Sequence, residues 1–226
     1  MDIRNYYIEQ GQGEPLILLH GNGENCGYFA HQIGPFSKQY HVFAIDTRGH
    51  GKTPRGDRPF TIRQFAEDLR DFMDEHGLEK AHILGFSDGG NIALVFALHY
   101  PERVDRLILN GANLDASGVR RRTQIPIEVG YQVARLSAKK SEEAKRHAEL
   151  LGLMVNDPNV SAEELKKIRA KTLVIAGTHD MIKTNHTKQI AAGIPGAKLV
   201  LLQGDHFIAG KRPEAFNREV LAFLSE

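Results

Sequence analysis

The chain has 226 residues and a formal net charge of +1, from 29 Lys and Arg against 28 Asp and Glu, so no global field directs it to nucleic acid or an anionic membrane surface. That length suits one large domain with a substantial core and at most a small insertion. A lone cysteine, Cys26, excludes an internal disulfide; with no apolar signal core from Met1 to Tyr7 and no run near the ~18 residues of a membrane span, a cytoplasmic protein without a membrane partner is expected.

Strand-length apolar runs alternate with helical patterns along the chain, the signature of a mostly parallel sheet flanked by helices. The first run, Leu16 to Leu19, opens into His20-Gly21-Asn22-Gly23, and the second, Val42 to Ile45, into Asp46-Thr47-Arg48-Gly49-His50-Gly51-Lys52-Thr53. Thr61-Ile62-Arg63-Gln64 has the form of a capping box; Ile62, Phe65, Ala66, Leu69, Phe72 and Met73 then share one helical face up to the stop at Gly77. Ala81 to Gly85 is the third run, and Asn91 to Tyr100 is too long for a strand and halts at Pro101. Val104 to Leu109 is the fourth. From Asn113 to Ala170 no strand-length run occurs and charged helical patterns take over, as in Ser141 to Met154 and Ser161 to Ile168. Residues 113–170 are therefore expected to form a helical cap on a core of residues 1–112 and 171–226, hung over the carboxyl ends of the strands. The sheet resumes with Leu173 to Ala176, which opens into Gly177-Thr178-His179-Asp180, and ends with Leu199 to Leu202, followed by Gly204-Asp205-His206-Phe207.

Between the third strand and its helix lies Gly85-Phe86-Ser87-Asp88-Gly89. A serine hydroxyl becomes a useful nucleophile when a tight strand-to-helix turn exposes it, and such a turn needs positions nearly free of side chains on either side. Glycines two before and two after Ser87 meet that demand. An acid and then a histidine follow in the order of a nucleophile-elbow triad, each just past a strand's carboxyl end, where open α/β sheets place their chemistry. The cluster Arg120-Arg121-Arg122 reads as a solvated loop rather than a polyanion site. The eleven histidines include no His-x-x-x-His pair and there is no Cys-x-x-Cys, so no metal site is expected.

With these motifs in place the chain resembles the α/β-hydrolase-fold serine hydrolases from about Pro15 onward. The His20 loop is similar to the family's oxyanion loop, the Asp46 loop to its Asp-x-Arg-Gly-x-Gly-x-Ser motif, and the Asp180 and His206 turns to its acid and histidine turns. Gly-Phe-Ser-Asp-Gly-Gly, with Gly111-Ala112-Asn113 after the next strand, is most similar to the valacyclovir-hydrolase-like (biphenyl-hydrolase-like) branch. The resemblance implies an α/β-hydrolase fold with a short helical cap inserted after the sixth strand. It implies Ser87 as nucleophile, His206 as base and then acid, and Asp180 as the group that orients and stabilises the imidazolium. Asp115, five residues beyond Asn110, is the alternative acid. The oxyanion donors would be the backbone N–H groups of Asn22 and Asp88. His20 reads as a structural ligand of its loop, Asp46, Arg48 and His50 as braces of theirs, and Cys26 as a small apolar residue. The Asp88 side chain has two readings: a structural partner, or a substrate-binding group for the amino group of an aminoacyl ester. A cofactor-free hydrolase of a small acyl substrate, a carboxylic ester, follows, with carbon–carbon bond hydrolase and thioesterase as alternatives on the same triad. A slow or non-catalytic ligand-binding receptor is the rival of another class. No oligomeric state is assigned.

Overall fold

Apolar runs without alternation need cover on both faces of a sheet, and the chain supplies it. The computed structural model, which describes residues 2–226, holds seven strands: β1 (Tyr7–Gln10), β2 (Glu14–Leu19), β3 (Tyr40–Ile45), β4 (Ala81–Phe86), β5 (Val104–Asn110), β6 (Lys171–Gly177) and β7 (Lys198–Leu202). They form one sheet in the order β1-β3-β2-β4-β5-β6-β7, parallel except where β1 meets β3. The helices are α1 (Ala30–Phe36), α2 (Ile62–Glu75), α3 (Asp88–His99), α4 (Arg121–Ser137), α5 (Glu142–Asn156), α6 (Thr184–Gly193), α7 (Ile208–Lys211) and α8 (Pro213–Leu224).

Successive strand residues point to opposite faces, and here both faces are buried. Ile17, Leu19, Phe43, Ile83 and Leu107 pack with α2 and α3 in one core. Leu16, Leu18, Val42, Leu84 and Ile108 pack with α1 and α8 in the other. The chain winds from β2 outward to β3 and then returns to place β4 on the other side of β2. The carboxyl ends of β2 and β4 therefore flank a crevice at the reversal, where such sheets bind ligands.

All six expected strands are present, extended by one to three residues. The seventh, β1, was not legible: an edge strand makes a ladder on one side only, and Tyr7–Gln10 is half-buried to exposed, so it carries no apolar run. The helical insertion follows β5 and not a sixth strand, because β1 alone precedes β2 among the described residues. Within that insertion Ser141 caps α5 by accepting from the Ala144 N–H at 3.1 Å. The helix expected over Ser161 to Ile168 is only a 3-10 turn, Glu164–Lys167. Ser161 and Glu164 do bond reciprocally, at 2.8 and 3.3 Å, but Leu165 and Ile168 are drawn into the main core and the chain turns into β6. The arginine cluster is likewise no free loop, since Arg121 opens α4. At α2 half of the capping box forms: Thr61 accepts from the Gln64 N–H at 3.1 Å, while the Gln64 amide turns to Asp68 at 3.0 Å. No helix among the described residues is long and apolar enough to cross a membrane.

Candidate active site

The turn from β4 into α3 is set by sterics. A Cβ on Gly85 would lie 2.1 Å from the Gly89 carbonyl oxygen, and one on Gly89 would lie 2.1 Å from that of Leu19, so neither position accepts a side chain. Ser87 between them has φ 53° and ψ −119°, a left-handed conformation costly for any residue with a Cβ, of order 1–3 kcal/mol. The turn is held by the Ser87 N–H donating to Asn110 at 2.8 Å and by the Asn91 N–H donating to Ser87 at 3.0 Å. The hydroxyl is thereby lifted off the sheet toward the crevice.

Two distant turns converge on it. His206 Nε2 stands 3.0 Å from Ser87 Oγ, and His206 Nδ1 stands 2.7 Å from Asp180 Oδ1. A carboxylate only accepts, so Nδ1 carries the proton and Nε2 is left as the acceptor for the serine O–H. Asp180 is 1% and His206 5% exposed, which weakens screening between them. Asp180 Oδ1 also accepts from the Ile182 N–H at 2.8 Å. The acid turn has a further brace that the sequence did not reveal: Arg120 Nε donates to the Asp180 carbonyl at 2.7 Å, and the Arg120 N–H donates to Met181 at 2.8 Å. The expected solvated arginine thus ties the start of α4 to the acid turn. Asp115 is not brought to His206; its carboxylate caps a turn by accepting from the Ser117 N–H at 2.7 Å.

Gly111 shows how tightly this is built. Its φ is +63°, and a Cβ there would lie 2.8 Å from His206 Cε1 and 3.0 Å from Nδ1. Gly111→Ala is expected to push the imidazole aside and to lower kcat/KM at least about a hundredfold, the usual result of an ångström's misplacement. Steady-state kinetics on the folded variant check this, and a loss below tenfold would show that His206 does not need its observed place.

The loop after β2 lies across the crevice. The Glu24 N–H donates to Gly21 at 3.2 Å and the Gly21 N–H to Glu24 Oε2 at 3.2 Å, closures that use neither Asn22 nor its N–H. Asp88, the first residue of α3, has its N–H outside the helical ladder. His20 is structural in geometry: Nδ1 faces the Gly21 carbonyl at 2.8 Å and Nε2 accepts from the Thr47 N–H at 3.1 Å. Asp46 accepts from the Cys26 and Lys52 N–H groups at 2.6 and 2.8 Å, and Arg48 holds Asp68 through Nε at 2.7 Å. His50 Nδ1 faces the Arg48 carbonyl at 2.9 Å. The Cys26 thiol is pushed up to about 12 by burial and by Asp46, so it stays protonated and inert.

Beside Ser87 lies a small cavity of about 20 Å³. Asp88 lines it, 7% exposed, with Asn22 Nδ2 donating to Oδ2 at 2.8 Å and Asn91 Nδ2 near Oδ1 at 3.4 Å. The same Asn22 amide donates to the Leu150 carbonyl of α5 at 2.9 Å, so this side chain joins the β2 loop, the elbow and the insertion. Asn113 donates its N–H to the Asn91 side chain at 2.9 Å. Asp157, just past α5, lines the cavity as well; burial and then the charge of Asp88 raise its carboxyl to about 6. Burial raises Asp88 too, against the opposing Asn22 bond.

The model of the alpha/beta hydrolase fold matches residues 14–126. A 2-hydroxy-6-oxononadienedioate/2-hydroxy-6-oxononatrienedioate hydrolase of Comamonas testosteroni is 30% identical, over 99% of this chain and 92% of its own length. The serine hydrolase BPHL of Homo sapiens is 27% identical over 98% of this chain and 83% of its own. Among solved structures, a hydrolase from Pseudomonas aeruginosa PA01 superposes with a TM-score of 0.81 at 26% identity, covering 98% of this chain and 94% of that one.

Proposed function

We propose that this chain, which belongs to the alpha/beta hydrolase fold family, is a serine hydrolase of small carboxylic esters that works through an acyl-enzyme. The observation that carries the reading is the linked pair of contacts from Ser87 Oγ to His206 Nε2 at 3.0 Å and from His206 Nδ1 to Asp180 Oδ1 at 2.7 Å. His206 takes the serine proton as Oγ attacks the carbonyl carbon, and Asp180 stabilises the imidazolium that results. The tetrahedral oxyanion is received by the Asn22 and Asp88 N–H groups. The imidazolium then protonates the leaving alcohol, and the acyl-enzyme is hydrolysed by the same steps with water as nucleophile. The insertion between β5 and β6 serves as the lid that bounds the acyl pocket.

A carbon–carbon bond hydrolase is the second reading, favoured by likeness to the Comamonas enzyme, whose substrate is by its name a keto dicarboxylate. Against it stand Asp88 and Asp157, two carboxylates lining the cavity beside Ser87, which would repel a dianion. A panel of p-nitrophenyl esters of increasing acyl length, run beside a keto dienoate, decides between the two. Ester turnover of short acyl chains, unchanged in EDTA because the triad and backbone donors supply the catalysis, is the expected result. Turnover of the keto dienoate alone would overturn the ester reading, and zinc-dependent recovery after EDTA would overturn the cofactor-free one.

A further inference from the structure

Four of the seven exposed large apolar side chains among the described residues lie on one helix. Ile125, Val129, Val133 and Leu136 of α4 are 46, 59, 60 and 82% exposed, and their spacing of four, four and three residues sets them on a single stripe, roughly 16 Å long at ~1.5 Å per residue. The opposite face of the helix serves the fold: Ala134 is buried, and Gln124 and Ile127 line the cavity beside Ser87. Charge singles out the same segment. Residues 121–140 hold Arg121, Arg122, Arg135, Lys139 and Lys140 against one acid, Glu128, which is net +4 in a chain of net +1, so the rest of the molecule is net negative. All five cations are exposed. None of them forms an ion pair among the described residues; the pairs of the insertion run from Lys145 to Glu142, from Lys166 to Glu163 and from Arg55 to Glu149.

We propose that the outer face of α4 is a docking surface for an anionic lipid bilayer. An aliphatic stripe with cations at both ends has the two parts such a surface needs: side chains that leave water at the headgroup boundary, and charges drawn to acidic headgroups. The stripe holds no aromatic residue and the chain no Trp, so neither part suffices by itself and binding requires both. The same charges disfavour a second copy of the chain as the occupant. In an antiparallel pair of α4 helices about a twofold axis, Arg121 and Arg122 of each copy would meet Lys139 and Lys140 of the other, and like charges face to face oppose association. A ridge of four side chains also falls well short of the roughly 800 Å² and about 20 residues per partner of a stable interface. A nucleic acid would engage the cations but leave the aliphatic stripe in water. Because the inner face of α4 is a wall of the cavity beside Ser87, docking sets that cavity one helix diameter, about 10 Å, from the headgroups. The inference concerns binding alone and does not rest on the hydrolase reading.

The test is co-sedimentation of the whole chain with sucrose-loaded vesicles, either of phosphatidylcholine alone or of phosphatidylcholine mixed with phosphatidylglycerol. The wild type should partition onto the mixed vesicles at least about tenfold more strongly than onto the neutral ones, and should be released at about 0.5 M salt, where charges are screened within a few ångströms. The pair Val133→Ser and Leu136→Ser should cut partitioning onto the mixed vesicles by about tenfold or more, through lost apolar burial. The pair Arg122→Gln and Lys140→Gln should do so to a similar extent, through lost charge. All four side chains are exposed, so the melting temperature should not move; should either variant fail to fold, the lipid and salt dependence of the wild type decides. No sedimentation of the wild type, equal binding to both kinds of vesicle, or unchanged binding of both variants would overturn the proposal. A dimer seen by light scattering and split by Leu136→Ser would overturn it as well, since a second copy would then cover the stripe.

Discussion

Ser87→Ala is expected to lower kcat by a factor on the order of 10⁵ to 10⁶ and to abolish labelling by a fluorophosphonate probe, with the fold intact. The size follows from removing the nucleophile of a unit whose members act together; what remains comes from substrate binding and the oxyanion donors alone. The fold should survive because alanine tolerates φ 53° no worse than serine does, and because the turn is held by backbone bonds to Asn110 and from Asn91 rather than by the hydroxyl. Ser87→Gly sharpens the test. It too is expected to be inactive, yet it releases the left-handed strain, so its melting temperature should rise by a few degrees for about 1–2 kcal/mol. Labelling that persists in Ser87→Ala, or a residual rate within a hundredfold of wild type, would place the nucleophile elsewhere.

The second large effect is expected for Asp180→Asn, a loss on the order of 10⁴-fold in kcat. Asp180 Oδ1 accepts from both His206 Nδ1 and the Ile182 N–H, whereas Oδ2 is buried without a partner. An asparagine has two ways to sit there. With its oxygen in the Oδ1 place it keeps both bonds, but the negative charge that stabilises the imidazolium is gone and the amide nitrogen is buried unpaired, a cost of about 1–3 kcal/mol in stability. With its nitrogen toward His206 it holds the wrong tautomer and takes the proton acceptor away from Ser87. Either way the base fails while the geometry stays nearly unchanged. Single-turnover kinetics with circular dichroism of the variant check this. A loss below tenfold would move the acid's role away from Asp180, and Asp115, engaged with the Ser117 N–H, would be the next residue to replace.

Much of this site is legible in the sequence, because its constraints are local. The Gly85-to-Gly89 turn admits no Cβ at either glycine, a requirement written in five consecutive residues. Asp180 and His206 could be picked out because each directly follows a continuous apolar strand, and parallel strands deliver all such turns to the same end of the sheet. Arg120 was misread for the opposite reason. Nothing in three successive arginines distinguishes a solvated loop from a guanidinium that donates to the carbonyl of Asp180.

Sequence alone therefore determined the α/β architecture, the six strands with apolar runs, the elbow and the order of the three candidate catalytic residues, since periodicity, run length and steric need are properties of short segments. It did not determine β1, whose one-sided ladder leaves no run, nor the single turn at Glu164–Lys167, where burial of Leu165 overrode the helical pattern. Only the tertiary structure decided that Asn22 binds Asp88 and Leu150 at once, and that Asp88, Asp157 and Gln124 face one cavity. Their proximity is set by how the insertion packs over the elbow, and the charge and hydrogen-bonding needs of groups brought together in that way leave no trace in the order of residues along either segment.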